Sequence, residues 1–527
     1  MWLVLVVGLL AAAHFISAVA TSNYTTIKSE FSDDAIRFKS WAASDENLCR
    51  GGTDHHAGWV DLDSQHLFFC QLASLTYFST EETDWLSSTG YHEAHHDPLL
   101  APLLIWVQNS PGESVLTSML FENGPCLLDD TPDTTRSNPL SWTKHFNVVY
   151  LEQFPGAGLS YAKEDDDEKP SYTYRVSQSS LDTVRFIRLL YQAFPSLVEV
   201  DLHLAGEAFG GRSATDLAST ILDYNKFLTS HPKPSEKDFR LPLRGLILGN
   251  PWISPVTQVP SMYDVSCFEW RGEYPPHLDQ DDCVRVLAAL ERCETRLRTC
   301  GLSDSDPVLC QFPREACEKP YLEVFRNSTG SMQDRRIRSC QAPGNCYPEM
   351  EDAKSYLNSV RVFEEELEVN TQTSGAKKRW DRFNASTYAR YMASGDYFDP
   401  TTPSLSKILD AARGHSRYAG SQRQLDVLIY AGVADITSNP DGLLDTMKQL
   451  RWPGQAPFRG TPWADLPWLT QSGGFAGRLK AVPNLWFVEM EEAGQMVSFH
   501  CFCTLSISLQ DGLLIVDRCR LISRFQC

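Results

Sequence analysis

Three stretches of the chain gather side chains whose types and spacing could do chemistry. The most informative is His203-Leu204-Ala205-Gly206-Glu207-Ala208-Phe209-Gly210-Gly211-Arg212. An apolar run precedes it and a helical pattern, Ser213 to Asn225, follows. Such a strand-turn-helix holds a nucleophile on a tight turn, with flanking glycines keeping the turn uncrowded. The glycines are present, but the residue at the turn is Ala208, which has no atom to attack with. The second stretch, His92-Glu93-Ala94-His95-His96, groups three imidazoles and a carboxylate, ligand types suited to transition metals. Gly90, Asp97 and Pro98 around it place it in a surface loop, so it reads as a solvated cluster. The third is the acidic run Glu164-Asp165-Asp166-Asp167-Glu168, a solvated loop without the ligand spacing that calcium needs. The sequence implies neither a metal site nor a cofactor.

The elements that must position the turn are legible from periodicity. Short apolar runs bounded by turn residues read as buried parallel strands at Leu103–Val107, Asn147–Leu151, Leu202–Ala205, Gly245–Leu248, Asp426–Tyr430 and Asn484–Glu489. Helical patterns lie between them. In Ser179–Ala193, Leu181, Val184, Ile187, Leu190 and Tyr191 recur at helical spacing. Strands alternating with helices predict an α/β fold with a mostly parallel central sheet. The alternation breaks at 251–402 and resumes afterwards. The expected organisation is therefore a leader at 1–20, a core first part at 21–250, an inserted disulfide-rich helical cap at 251–402, a core second part at 403–497 and a tail at 498–527.

Composition narrows the class. The 527 residues are 42% hydrophobic and 11% aromatic, values of a folded globular protein. The net charge of -20 disfavours nucleic acid and anionic membrane as partners. Residues 1–20 form an apolar run ending in Ala18-Val19-Ala20, the pattern of a signal peptide, and no later segment offers a membrane-spanning run. Of fifteen cysteines, eight (Cys267, Cys283, Cys293, Cys300, Cys310, Cys317, Cys340 and Cys346) fall within 80 residues. An even count in an exported chain implies disulfides, and eight cysteines allow 105 connectivities. Asn23, Asn327 and Asn384 head glycosylation sequons. Together these predict a secreted or vacuolar, lysosome-like location reached through the secretory pathway.

Six ordered motifs then resemble the serine carboxypeptidase family, on the α/β-hydrolase fold. Gly206-Glu207-Ala208-Phe209-Gly210-Gly211 is similar to the family's Gly-Glu-Ser-Tyr-Gly-Gly. Trp106-Val107-Gln108-Asn109-Ser110-Pro111-Gly112 resembles Trp-Leu-Asn-Gly-Gly-Pro-Gly, and 153–161 resembles Gln-Pro-Val-Gly-Thr-Gly-Phe-Ser-Tyr. Gly249-Asn250, the segment 427–435 and Ala493-Gly494-Gln495-Met496-Val497 follow in the family's order. The likeness runs from about Asp61 to Val497, and the tail departs from it.

The resemblance assigns roles residue by residue. Ala208 stands at the nucleophile position, Gln495 at the position of the histidine base, and Asp435 is the retained triad acid. Ser110 and Phe209 occupy the oxyanion-hole positions, with serine where the family has glycine. Glu122, Glu207 and Gln108 match the groups that bind the substrate's terminal carboxylate. In this mechanism serine attacks the carbonyl and histidine shuttles the proton, whereas a carboxamide does not titrate near neutral pH. The expectation is a family member without peptidase chemistry that still binds a peptide or protein C-terminus. The alternatives are an active carboxypeptidase or acyltransferase of the same family, and a non-enzymatic scaffold or decoy for a protein partner.

Overall fold

A computed structural model describes residues 24–29, 32–44, 48–73, 101–107, 109–129, 131, 134–139, 141–162, 174–230, 239–301, 307–340, 346–412, 425–467, 475–497, 501–504 and 518–521. The expected leader, Asn23, Gln108, the histidine cluster at 92–96 and the acidic run at 164–168 lie outside them.

The fully apolar runs form the centre of one thirteen-stranded sheet. In chain order its strands, with one small hairpin apart from the sheet (β6 and β7), are β1 (Thr25–Lys28), β2 (Ala35–Trp41), β3 (His55–Leu62), β4 (Gln65–Leu72), β5 (Leu103–Val107), β6 (Cys126–Leu128), β7 (Thr135–Ser137), β8 (Asn147–Leu151), β9 (Tyr161–Ala162), β10 (Leu202–Glu207), β11 (Leu243–Gly249), β12 (Asp426–Gly432), β13 (Ala464–Pro467), β14 (Phe475–Val482) and β15 (Leu485–Met490). The order across the sheet is β1-β2-β3-β4-β8-β5-β10-β11-β12-β15-β14-β13, with β9 paired to β4. Six strands, β8-β5-β10-β11-β12-β15, run parallel, with Leu204 in register with Ile105 on one side and Leu246 on the other. Both faces of a parallel sheet are covered, which is why these strands read as continuous apolar runs.

The parallel order holds only in the centre. The flanking strands β1 to β4 and β13 to β14 are antiparallel. Some of them alternate buried and accessible residues, as in β2, so their apolar signal is diluted and the sequence reading did not resolve them.

Successive side chains divide between two cores. Trp106, Tyr150, Ala205, Ile247 and Tyr430 enter one, which is closed by helix α1 (Leu116–Phe121) and by Tyr347, Met350, Tyr356, Phe363 and Trp380 of the 346–380 stretch. Ile105, Val149, Leu204, Leu246 and Ile429 enter the other, beneath α2 (Val176–Ala193) and α3 (Phe209–Ser230). A third cluster joins Phe154, Phe209 and Trp252 to α4 (Pro255–Cys267) and α5 (Gln280–Gly301) through Met262, Val286 and Leu297. All eight cysteines of the dense block are paired: Cys267–Cys283, Cys293–Cys317, Cys300–Cys310 and Cys340–Cys346. A fifth bridge joins Cys49 to Cys126. No helix among the described residues is long and apolar enough to cross a membrane.

Candidate active site

The described triad, oxyanion and carboxylate-binding positions lie at or just beyond the carboxyl ends of the parallel strands, on strand ends, loops and helix ends, where open α/β sheets place their ligands. The turn between β10 and α3 is a single residue, Ala208, held at φ 50° in the left-handed region. That conformation is costly for a residue with a Cβ and persists only where the surroundings fix it. Here the Ala208 N–H donates to the Gly249 carbonyl (3.0 Å), while its own carbonyl accepts from the N–H groups of Gly211 (3.1 Å) and Trp252 (2.8 Å). The flanking glycines are required by close approach: a Cβ on Gly206 would lie 2.5 Å from the Gly210 carbonyl oxygen, and one on Gly211 would lie 2.5 Å from Pro251 Cβ. The backbone of a nucleophile turn is complete, and it presents a methyl group.

Asp435 follows β12 and is fully buried. Its carboxyl accepts from Asn250 Nδ2 (2.9 Å) and from the backbone N–H groups of Thr437 (2.9 Å) and Ser438 (3.2 Å). No cation or imidazole is among these partners. Burial pushes the carboxyl up to about 8 despite the three bonds, and nearby Asp334 adds to the rise. Asn250, at the end of β11, also accepts the Gly432 N–H (3.1 Å), so one side chain clips the acid loop to the strand behind the turn.

Gln495 is brought beside this loop by backbone contacts. The Ala434 N–H donates to the Ala493 carbonyl (2.8 Å), and a Cβ on Gly432 would lie 2.0 Å from the Gly494 carbonyl oxygen. Gln495 is buried, and its backbone N–H donates to the Gln333 carbonyl (2.7 Å). A glutamine here can donate or accept a hydrogen bond, but it cannot take up a proton.

The loop 109–112 is tied to the turn by the Gly210 N–H, which donates to the Asn109 carbonyl (3.1 Å). Gly112, at φ 88°, packs so close to the Asn384 carbonyl that a Cβ would lie 2.4 Å from it. Between them the Ser110 carbonyl accepts the Glu113 N–H (3.0 Å). Phe209 opens α3, and its ring stacks on Tyr397 at 6.0 Å, which in turn stacks on Trp252 at 5.2 Å.

Glu207 ends β10 and Glu122 caps the end of α1; both are buried. Tyr430 donates its hydroxyl to Glu207 Oε1 (2.9 Å). Glu122 lies against the Ser118 hydroxyl and faces the carboxyl of Glu207, a pairing of two buried acids that is favourable only when one of them carries a proton. Burial holds both above the usual carboxylate range, and the bond between them raises Glu207 while lowering Glu122. The two carboxyls therefore titrate as a pair.

The roles of Asn250 and Tyr430 were not read from the sequence, although Gly249-Asn250 and the 427–435 strand were noted. Nothing in their local pattern marks a contact made across strands. Among the described residues, Cys300, Cys310 and Asp399 form a group with ligand-type atoms close together, but the two cysteines are joined as a disulfide and offer no thiolate. Asn327 is exposed, whereas Asn384 is partly buried.

A mixed sheet with a parallel centre, a strained turn between strand and helix, and an acid on a later strand end define the α/β-hydrolase class. Residues 53–501 match the serine carboxypeptidase family model, and the chain belongs to that family. It is 27% identical over 409 residues to carboxypeptidase Y homolog A of Trichophyton verrucosum, covering 77% of this chain and 67% of the relative. It is 27% identical over 476 residues to carboxypeptidase Y of Schizosaccharomyces pombe, covering 89% of this chain but 42% of that protein. The fold superposes on Kex1Δp, a prohormone-processing carboxypeptidase from Saccharomyces cerevisiae, with a TM-score of 0.64 at 20% identity, covering 85% of this chain and 88% of the other.

Proposed function

We propose that this protein is a secretory-pathway serine carboxypeptidase homologue that has lost peptide hydrolysis and retains a proton-sharing carboxyl pair for the C-terminal carboxylate of a peptide or protein. The observation that carries the reading is Ala208 at φ 50°, in a turn whose backbone bonds are otherwise complete. Attack on a carbonyl needs a hydroxyl there and a base beside it, and the chain supplies alanine and Gln495. Loss of such a triad lowers turnover by about a millionfold, leaving roughly a thousandfold from binding and oxyanion stabilisation.

Binding draws support from Glu122 and Glu207. A protonated carboxyl that already donates to its neighbour can instead donate to an incoming carboxylate, and in a dry site that exchange keeps every oxygen satisfied. The secretory assignment is supported by five disulfides, which persist in oxidising compartments.

The test is incubation with a blocked dipeptide at pH 4–6, alongside a fluorophosphonate probe. The expected result is no release of the C-terminal amino acid, no labelling, and a rise in melting temperature with peptides that have a free C-terminus but not with their amides. Labelling together with release would instead establish a working hydrolase with an unconventional nucleophile.

A further inference from the structure

Behind the acid loop the strap 331–338 is held by four backbone bonds: Arg335 N–H to Ala434 O (2.9 Å), Ile436 N–H and Thr437 N–H to Met332 O (3.1 and 3.4 Å) and Gln495 N–H to Gln333 O (2.7 Å). It carries three arginines within four positions, and they are partnered very differently. Arg336 has ion pairs with Asp334 and Glu492. Arg335 is fully buried, and its guanidinium lies 5.1 Å from the ring centre of Trp270 and 5.0 Å from that of Tyr274. Its Nη2 donates to the Pro275 carbonyl (3.2 Å), while Nε and Nη1 have no partner among the described residues. The exposed Arg338 donates through Nη2 to the same Pro275 oxygen (3.2 Å) and through Nη1 to Pro276 (3.1 Å). Two guanidinium heads thus converge on one carbonyl oxygen, with no carboxylate among the described residues paired to either.

The imidazole of His277 lies in the same field. Both of its nitrogens are buried and lack partners among the described residues. Its ring is fixed against Gly330, where a Cβ would lie 2.7 Å from Cε1. One ring nitrogen must carry a hydrogen at any pH, so the imidazole adds a donor to the cluster.

We propose that Arg335, Arg338 and His277 form a binding site for one small, singly charged inorganic anion, with chloride as the representative ligand. Burying a guanidinium without a counter-charge is costly, and cation–π contact with two rings offsets only part of that cost. Deprotonation does not relieve the cost: burial and the neighbouring Arg338 lower Arg335 only to about 10, so it stays charged at physiological pH. A single negative charge would balance the buried cation and accept one of its unused donors, Nε–H or Nη1–H, which leave from different edges of the guanidinium. By neutralising the strap, it would also steady the loops that carry Asp435 and Gln495. The site is independent of whether a peptide binds at Glu207.

The test uses the full chain, prepared free of halide in sodium gluconate and titrated with chloride, bromide or formate at constant ionic strength. Gluconate serves as an anion too bulky for a buried site. The expected result is a saturable rise in melting temperature of about 1–3 °C at ten times the half-saturating concentration, absent in Arg335→Met. Arg338→Gln changes an exposed head group, and it should raise the half-saturating chloride concentration at least tenfold. In crystals grown with bromide, anomalous density is expected beside Arg335. A response that never saturates, or one that is the same in Arg335→Met and Arg338→Gln as in the wild type, would overturn the proposal. So would no response at all, which would mean that ordered water satisfies the donors. If Arg335→Met does not fold, the Arg338→Gln titration and the bromide density decide.

Discussion

Glu207 and Ala208 are neighbours in the chain, yet the two sides of the peptide bond between them have fared differently. Glu207 has Tyr430 on one oxygen and faces the carboxyl of Glu122. Ala208 has only backbone bonds, three of them, and a strained φ, while the acid across the site is held by Asn250 and two N–H groups, with no imidazole among those partners. Geometry written in backbone bonds survives exchange of the side chain it was built to display. Chemistry that resides in a hydroxyl and an imidazole needs those side chains. On the proposed reading, a binding half and a reacting half of one site have parted.

The strongest challenge to this contrast is to restore the reacting half. In Ala208→Ser with Gln495→His, release of the C-terminal residue from a blocked dipeptide at pH 5 should rise at least about a thousandfold over the wild type. Either single substitution should recover far less, because nucleophile and base act as a unit. An inert double variant would show that the damage extends into the Ser110 loop, and the division into halves would fail.

The binding half can be broken on its own. Glu207→Gln removes the shared proton, and peptide affinity at pH 5 should fall about tenfold or more, as a thermal-shift titration would show. The wild type should bind more weakly as pH rises and the pair loses its proton, because two carboxylates then repel the ligand's own. Affinity that does not change with pH would remove the proton-sharing account.

The orphaned acid makes a smaller, global contribution. A carboxyl held at about 8 when folded and near 4 when unfolded binds more protons in the folded state. Stability from this group is therefore fullest below about pH 4 and is lost as pH rises through 8. The melting temperature should fall by about 3–5 °C between pH 5 and pH 8, and Asp435→Asn should flatten that slope. A slope unchanged in Asp435→Asn would assign the effect to other buried carboxyls such as Glu152.

These contrasts also explain what could be read from the sequence. The six central strands were legible because burial on both faces leaves unbroken apolar runs such as Leu103–Val107. The antiparallel flanks were not, because a half-exposed strand such as β2 mixes Arg37 and Lys39 with Ile36 and Phe38. The positions 110, 122, 207, 208, 209, 435 and 495 came from the family resemblance, and they lie around the strand ends. What sequence order could not carry was contact at long range. The Asn250 clip spans 185 residues to Asp435, Tyr430 reaches Glu207 across 223, and the four cap bridges are one of 105 arrangements that eight cysteines permit.

The two sequons within the described residues give the mildest contrast between a side chain that serves the backbone and one that is free to change. Asn384 caps the helix Ala385–Ser394, accepting the N–H groups of Ser386 (3.0 Å) and Thr387 (3.2 Å), and its Nδ2 donates to the Gly156 carbonyl (2.9 Å). A glycan attaches to Nδ2, so modification in the folded chain would break the Gly156 bond and crowd the loop that carries Gly112. Asn327 follows the short helix Glu323–Arg326 and is exposed. Asn327→Gln should therefore remove the mass of a glycan and leave stability within about 0.5 kcal/mol. Asn384→Ala should cost about 1 kcal/mol as a lost cap, with little loss of mass. Peptide mapping that found Asn384 fully glycosylated would reverse the assignment, because Nδ2 could not then pack against the Gly156 carbonyl as it does here.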